Sequence, residues 1–271
     1  MLTMLFLGTG AADWSRTYEA TAATAAAGAV RGMSSVLVNG QILVDCGGTV
    51  PEALELFGAD AEAITDLLVT HTHGDHFDPA ALERLLAARG QAPPLRLWVE
   101  VGALERLPHA SGVDMRLVRA GQTVQVADLT VTALAANHVV QPPEQPLHYL
   151  LEAGGRQVLY ATDGAWLLKE TWLRLRGLTL DGIVWDATNG DGRGDWRIFE
   201  HNSVDMIRVM LQTLRAEAIV SADTRLLLTH MARTLCAPHD EMERSLAPEG
   251  LAPAHDGLVA TWRAAAQGEL P

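Results

Sequence analysis

Short apolar runs alternate along this chain with longer stretches in which apolar residues recur every three or four positions. Met4–Leu7 is the first run and predicts a buried strand ahead of Gly8-Thr9-Gly10. Between Ser35 and Asp45 two apolar runs flank Asn39-Gly40, a strong local signal for a β-hairpin. Gly47-Gly48 leads into a helix with Pro51 near its first position and Ala53, Leu54, Leu56 and Phe57 as apolar members. Ile64–Thr70 is another strand. Asp78-Pro79 reads as an N-cap followed by a proline at the first helical position, and Leu82, Leu85 and Leu86 form the apolar stripe that Gly90 ends.

Further strands are predicted at Leu95–Val99, Met115–Val118, Thr123–Val126, Leu129–Leu134, Tyr149–Glu152 and Gln157–Ala161, the last two around Gly154-Gly155. The second half then alternates: helix Ala165–Leu173, strand Gly182–Asp186, helix Ser203–Ala216, strands Ala218–Ser221 and Leu226–Thr229, helix His239–Leu246. Gln141–Pro146, dense in proline, reads as a surface loop, and Glu19–Gly32, rich in Ala, Thr and Gly without an amphipathic period, as a flap. Hairpins mixed with crossovers imply an α/β protein of two mixed sheets packed together with helices outside, and a single domain over residues 1–271.

Composition narrows the function classes. With 48% hydrophobic and 20% charged residues in 271, disorder is excluded. No apolar run approaches the roughly 20 residues of a membrane span, and Met1–Gly10 lacks the basic start of a signal peptide, so a cytoplasmic protein is expected. Cys46 and Cys236 are too few for a disulfide framework or a four-cysteine zinc site and read as small hydrophobes. With 20 Lys+Arg against 33 Asp+Glu the net charge is −13, a field that repels polyanions. A small-molecule substrate is expected rather than nucleic acid or membrane, and the chain is compatible with a homodimer.

The chemistry is concentrated in His71-Thr72-His73-Gly74-Asp75-His76, directly after the strand Ile64–Thr70. His71 and His73, two apart on extended chain, project to one side. Gly74 permits a sharp turn that brings Asp75 and His76 to the same space. Four N/O ligands in six residues are too many for one tetrahedral ion but can begin two adjacent sites. Completion falls to other strand ends: His138 in Asn137-His138, Asp163 in Thr162-Asp163-Gly164, and His230 in Leu228-Thr229-His230.

On these residues the chain resembles the metallo-β-lactamase-fold hydrolases, and within them the phosphodiesterase branch of tRNA 3′-processing endonucleases and the cyclic-phosphate phosphodiesterase of phosphonate breakdown. The likeness runs from Leu7-Gly8-Thr9-Gly10 to Leu228-Thr229-His230. It implies a four-layer αββα sandwich and two divalent ions, zinc or manganese. One ion would be held by His71, His73 and His138, the other by Asp75, His76 and His230, with Asp163 bridging. His201, in Phe199-Glu200-His201-Asn202-Ser203, stands where phosphodiesterase members carry the histidine that protonates the leaving oxygen. Asp186 matches the acidic residue that orients it. His201, Asp186 and Asp75 are thus the expected catalytic residues, and Asp45 is expected behind a ligating imidazole.

The chain lacks the zinc-binding cysteines of the phosphonate-pathway enzyme, where Glu19–Gly32 stands instead, and the basic arm of the tRNA enzymes. The implied activity is hydrolysis of a small phosphodiester, cyclic ones included. Two alternatives stand beside it: cleavage of a thioester, lactone or amide, and a non-hydrolytic iron oxygenase or metal-binding module of this fold. His109, His148, His239 and His255 are given no part in the site, and Arg233 is read as a surface ion-pairing residue, with contact to an anionic substrate as its alternative.

Overall fold

The computed structural model describes residues 1–107, 110–192 and 195–263. Two seven-stranded sheets pack face to face. The first has the order β14 (Val259–Trp262), β1 (Leu2–Gly8), β2 (Ser35–Val38), β3 (Ile42–Val44), β4 (Asp66–Leu68), β5 (Leu95–Glu100), β6 (Val113–Val118). The second runs β13 (Leu251–Pro253), β12 (Arg225–Thr229), β11 (Gly182–Asp186), β10 (Arg156–Ala161), β9 (Leu147–Ala153), β8 (Leu129–Ala135), β7 (Thr123–Val126). Residues alternating along the strands, among them Met4, Phe6, Val36, Val44, Tyr149, Tyr160 and Leu227, fill the space between the sheets.

Helices α2 (Val50–Leu56) and α3 (Pro79–Ala88) cover the outer face of the first sheet through Leu54, Leu82 and Leu85. Helices α4 (Lys169–Leu175), α5 (Val204–Ala216) and α6 (His239–Leu246) cover the second through Leu175, Ile207, Leu211 and Met242. The result is the expected αββα sandwich. Helix α1 (Ala22–Ala26), capped by Thr21, lies within the Ala/Thr/Gly segment.

The hairpin at Asn39-Gly40 forms with both residues at positive φ (50° and 71°), the pair of left-handed conformations that closes a two-residue turn without splaying its strands. Several boundaries differ from expectation. Ala218–Ser221 is not a strand: Ala218 is left-handed (φ 56°), and the amides of Ile219 and Val220 turn back onto Leu214 O, closing α5 while both side chains enter its core. Helix α4 starts at Lys169 rather than Ala165 because Trp166 is left-handed (φ 48°) and Leu168 is extended. The Ile64–Thr70 run keeps only three ladder residues. The edge strands β13 and β14, short and with Pro253 or exposed Val259 in them, carry no readable alternation.

Strands β3 and β4 are parallel, as are β10, β11 and β12, and β8 runs in their direction as well. Their carboxyl ends therefore open at one edge of the sandwich. No helix among the described residues is long and apolar enough to cross a membrane.

Candidate active site

Each of these strand ends delivers a polar residue to that edge. β3 leads to Asp45, β4 to the loop Thr70–His76, β8 to His138, β10 to Asp163, β11 to Asp186 and Thr188, and β12 to His230. The loops are tied to one another by backbone bonds. Cys46 N donates to His76 O at 2.7 Å, and Asp78 N to Cys46 O at 3.0 Å. Asn137 and Ala165 lock the His138 loop to the Asp163 loop through Ala165 N to Asn137 O (3.0 Å) and Asn137 Nδ2 to Ala165 O (2.6 Å).

All seven expected ligands come together, in two groups that share Asp163 and whose ligand atoms lie within 4.8 Å of one another: His71, His73, His138, Asp163 and Asp75, His76, Asp163, His230. Asp163 straddles them. Its Oδ2 is 3.3 Å from His71 Nε2 and 3.0 Å from His76 Nε2, while Oδ1 is 2.8 Å from His230 Nε2. Asp75 Oδ2 stands 3.4 Å from both His76 Nε2 and His230 Nε2.

Ring nitrogens also face ring nitrogens. His73 Nδ1 is 3.0 Å from His71 Nε2 and 3.1 Å from His138 Nε2, and His76 Nε2 is 3.3 Å from His230 Nε2. One lone pair confronting two others cannot be satisfied by a single shared proton, so this crowding fits cations at the centre. The donor set suits divalent metals.

The remaining nitrogens of four imidazoles are held from behind, which fixes ring orientation. Asp45 Oδ2 takes His76 Nδ1 at 2.8 Å and the Thr70 hydroxyl at 2.9 Å, while its Oδ1 accepts from the Thr70 amide at 2.7 Å. Thr70 Oγ1 meets His71 Nδ1 at 3.1 Å, Thr188 Oγ1 meets His230 Nδ1 at 2.8 Å, and the Glu200 carbonyl accepts from His138 Nδ1 at 3.1 Å. Asp45, Asp163 and His230 all adopt left-handed backbone (φ 63°, 50°, 55°), a conformation that disfavours non-glycine residues and recurs at functional sites.

His201 joins this group. Its Nδ1 is 2.8 Å from Asp186 Oδ2, and its ring stacks on His230 with centroids 5.2 Å apart. Asp186 is fully buried and also accepts from the Thr188 hydroxyl (2.8 Å) and the Gly164 amide (3.1 Å). A cavity of about 180 Å³ opens over His73, Asp75, His138, Asp163 and His230, with His201, Thr188, Asp13, Arg197 and Glu200 also in its wall.

Electrostatics follow from the mixture. Burial pushes the Asp163 carboxyl up, but the charges of His230 and His76 outweigh it and hold it well below the usual carboxylate range. Burial and the charge of His76 drive His71 well below the ordinary imidazole value, leaving a neutral ring with a lone pair to give. Burial pushes His230 down, yet Asp163 lifts it to about 10 by charge and hydrogen bond. For His201 too, Asp186 overcomes burial and raises the imidazole above its ordinary value.

Other expectations resolve plainly. His148 is buried behind the Asp163 loop, where a β-carbon on Gly164 would sit 2.8 Å from its Nε2. Burial pushes its imidazole down to about 4. His239 and His255 stack edge to face away from the ligands, and His109 lies outside the described residues. Glu144 in the proline-rich loop is not a surface residue. It is buried, accepts from Thr72 N (2.8 Å) and Thr72 Oγ1 (2.6 Å), and pairs with Arg106 at 2.7 Å, pinning the histidine motif. Thr70 and Thr188 escaped the sequence reading; their only signal is a hydroxyl one or two positions from a residue already singled out.

A family model described as a β-lactamase superfamily domain matches residues 41–231, from the hairpin to the residue after His230. The anti-Pycsar protein Apyc1 of Paenibacillus sp. (strain J14) is 30% identical over 141 residues, 45% of this chain and 55% of that protein. Its counterpart from Saccharibacillus brassicae is 30% identical over 143 residues, with the same coverage. The matched region thus spans about half the length of these curated relatives. Among solved structures, a diphosphatase from the PhnP family superposes with a TM-score of 0.74 at 20% identity, covering 96% of each chain. Human short-form tRNase Z gives 0.68 at 21% identity, covering 96% of this chain and 98% of that one. At such identities the superpositions establish the fold. Together with the family match and the converging histidines and aspartates, they make this chain a member of the β-lactamase superfamily, a metal-dependent hydrolase of the metallo-β-lactamase fold.

Proposed function

We propose that the protein is a dinuclear phosphodiesterase acting on a small phosphodiester, cyclic ones included. The observation that carries this reading is the His201–Asp186 pair, 2.8 Å apart, beside the seven ligand residues. Asp186 occupies Nδ1, leaving Nε2 of a ring that lines the cavity to serve a bound ester. Two divalent cations, zinc or manganese by the donor set, supply neutralisation of phosphate oxygens and an acidified water. His71, His73 and His138 on one side, and Asp75, His76 and His230 on the other, would hold them across Asp163. His201 delivers a proton to the departing alkoxide, and Asp186 keeps its ring in register and its proton in place. Thr188 ties the two halves together, since its hydroxyl touches both Asp186 and His230. An acyl substrate has less need of such an acid next to the ligands, which favours the phosphodiester.

The test compares the metal-loaded protein with His201→Ala. On a phosphodiester with an alkoxide leaving group the variant loses ~10²–10⁴ in turnover with metal content unchanged. On bis(p-nitrophenyl) phosphate, whose leaving group departs without a proton, the loss is smaller. Equal turnover of wild type and variant on the alkoxide ester, or a preference for p-nitrophenyl acetate over both diesters, overturns the reading.

A further inference from the structure

Arg31 is only 4% exposed, yet its guanidinium forms no ion pair within 4.0 Å among the described residues. The other arginines set against buried carboxylates behave differently: Arg96 meets Asp66 at 2.5 Å and Arg106 meets Glu144 at 2.7 Å. Arg31 instead donates through Nη1 to Thr9 Oγ1 (2.5 Å) and Ala254 O (2.8 Å), and its Nη2 lies 3.0 Å from His239 Nδ1. The nearby carboxylate Asp256 is engaged by Thr9 Oγ1, the Tyr18 hydroxyl and the Gly32 amide. Asp256 thus faces Arg31 only across the Thr9 hydroxyl, and a buried guanidinium held off its counter-charge in this way leaves positive charge that an anion from solution can complete at contact.

The space in front of Arg31 has the matching character. A cavity of about 190 Å³ is lined by Trp14, Arg31, Met231, Arg233, Cys236 and His239, with no carboxylate in its wall among the described residues. Arg233 brings a second guanidinium from the exposed rim. Burial and the neighbouring Arg31 charge hold His239 below its ordinary value, and with Arg31 Nη2 donating to Nδ1 the neutral ring carries its N–H at Nε2. The pocket sits at the amino end of α6, whose Asp240 and Glu241 stay outside the wall. In a chain of net charge −13 this is a local concentration of donors and positive charge.

The pocket also backs onto the catalytic cavity. Trp14 follows Ala11–Asp13, which line that cavity, and its Nε1 donates to Met231 O at 2.8 Å, one residue beyond His230. Asp13 in turn accepts from the Arg233 amide at 2.8 Å.

We propose that this cavity is a second ligand site, distinct from the metal centre, that takes a tetrahedral oxyanion of the phosphate class between Arg31, Arg233 and His239. Arg31, whose Nη1 is committed to Thr9 and Ala254, brings charge and its remaining N–H, the Arg233 fork suits one edge of such an anion, and the imidazole N–H suits a further oxygen.

Calorimetric titration of the metal-loaded protein with inorganic phosphate tests it. Wild type is expected to bind two phosphates per chain, one at the metal centre and one here. Arg233→Glu and Ala237→Glu, both at the exposed rim, should retain the first event and weaken the second at least 10-fold, with circular dichroism unchanged. If every phosphate event of the wild type, whether one or two, survives both substitutions at full strength, the proposal is overturned. The readout involves no hydrolysis, so it stands or falls separately from the phosphodiesterase reading.

Discussion

Asp256 illustrates how one buried side chain leaves a measurable trace. It is sealed from water, and burial lifts its carboxyl to about 6 even though Thr9, Gly32, Arg31 and Tyr18 all favour the charged form. A carboxyl raised from 3.8 in the folded state contributes stability that is complete below 3.8 and lost as pH rises through about 6. As pH falls from 7 to 5, wild type should therefore gain about 1.4 kcal/mol in unfolding free energy relative to Asp256→Asn, one pKa unit's worth. Denaturant titrations at the two pH values check this, and parallel behaviour of the two proteins would mean that Asp256 does not titrate there. Residues of this kind are the ones a sequence hides. His71, His73, Asp75 and His76 announce themselves because four metal-binding side chains crowd into six positions. Thr70, Thr188, Glu144 and Arg31 act through partners 13 to 223 positions away, as well as nearer ones, and those partners are fixed by backbone paths that no local pattern records.

Elements were more legible than side-chain partners where a local rule dominates. Helix α3 forms where Asp78-Pro79 demands it, with Asp78 Oδ1 accepting from Ala80 N at 2.9 Å. The Asn39-Gly40 hairpin and strand Gly182–Asp186 likewise follow from turn chemistry and continuous apolar character. Strands β13 and β14 and the Ala218–Ser221 turn did not, since pairing partners or a capping bond, rather than propensity, decide their state. The join between β3 and α2 carries a tight constraint of this kind. A β-carbon on Gly47 would collide with the Asp75 carbonyl oxygen, so the loop after β3 rests directly on the histidine motif. Gly47→Ala should displace Asp75 and His76 together and weaken metal binding by about 10–100-fold, the range seen when a ligand's support is disturbed. Competition with a chromophoric chelator measures it, and unchanged affinity would show that the motif loop can give way without cost.

For the whole molecule, ions held by these residues would clasp the two sheets together. β4 of the first sheet supplies His71 to His76, and β8, β10 and β12 of the second supply His138, Asp163 and His230. Cations that bind only the folded chain stabilise it by about 2.7 kcal/mol per site at a hundredfold excess over the dissociation constant. Two sites and a chain of this length put the fall in melting temperature on chelation at roughly 10 to 20 °C, reversed when metal is returned. A shift below about 2 °C would mean the seven side chains need no ion to lie together. The left-handed backbone at Asp45, Asp163 and His230 sets a further condition on how this protein can be altered. Glycine would relax the backbone at all three positions, but at Asp163 and His230 it would also remove a ligand, so relief of strain and loss of bound metal oppose each other. Heat selection with metal supplied should therefore retain these residues, whereas selection in chelator lifts that constraint and lets inert scaffolds through, so any campaign to harden the protein must keep metal present at every round.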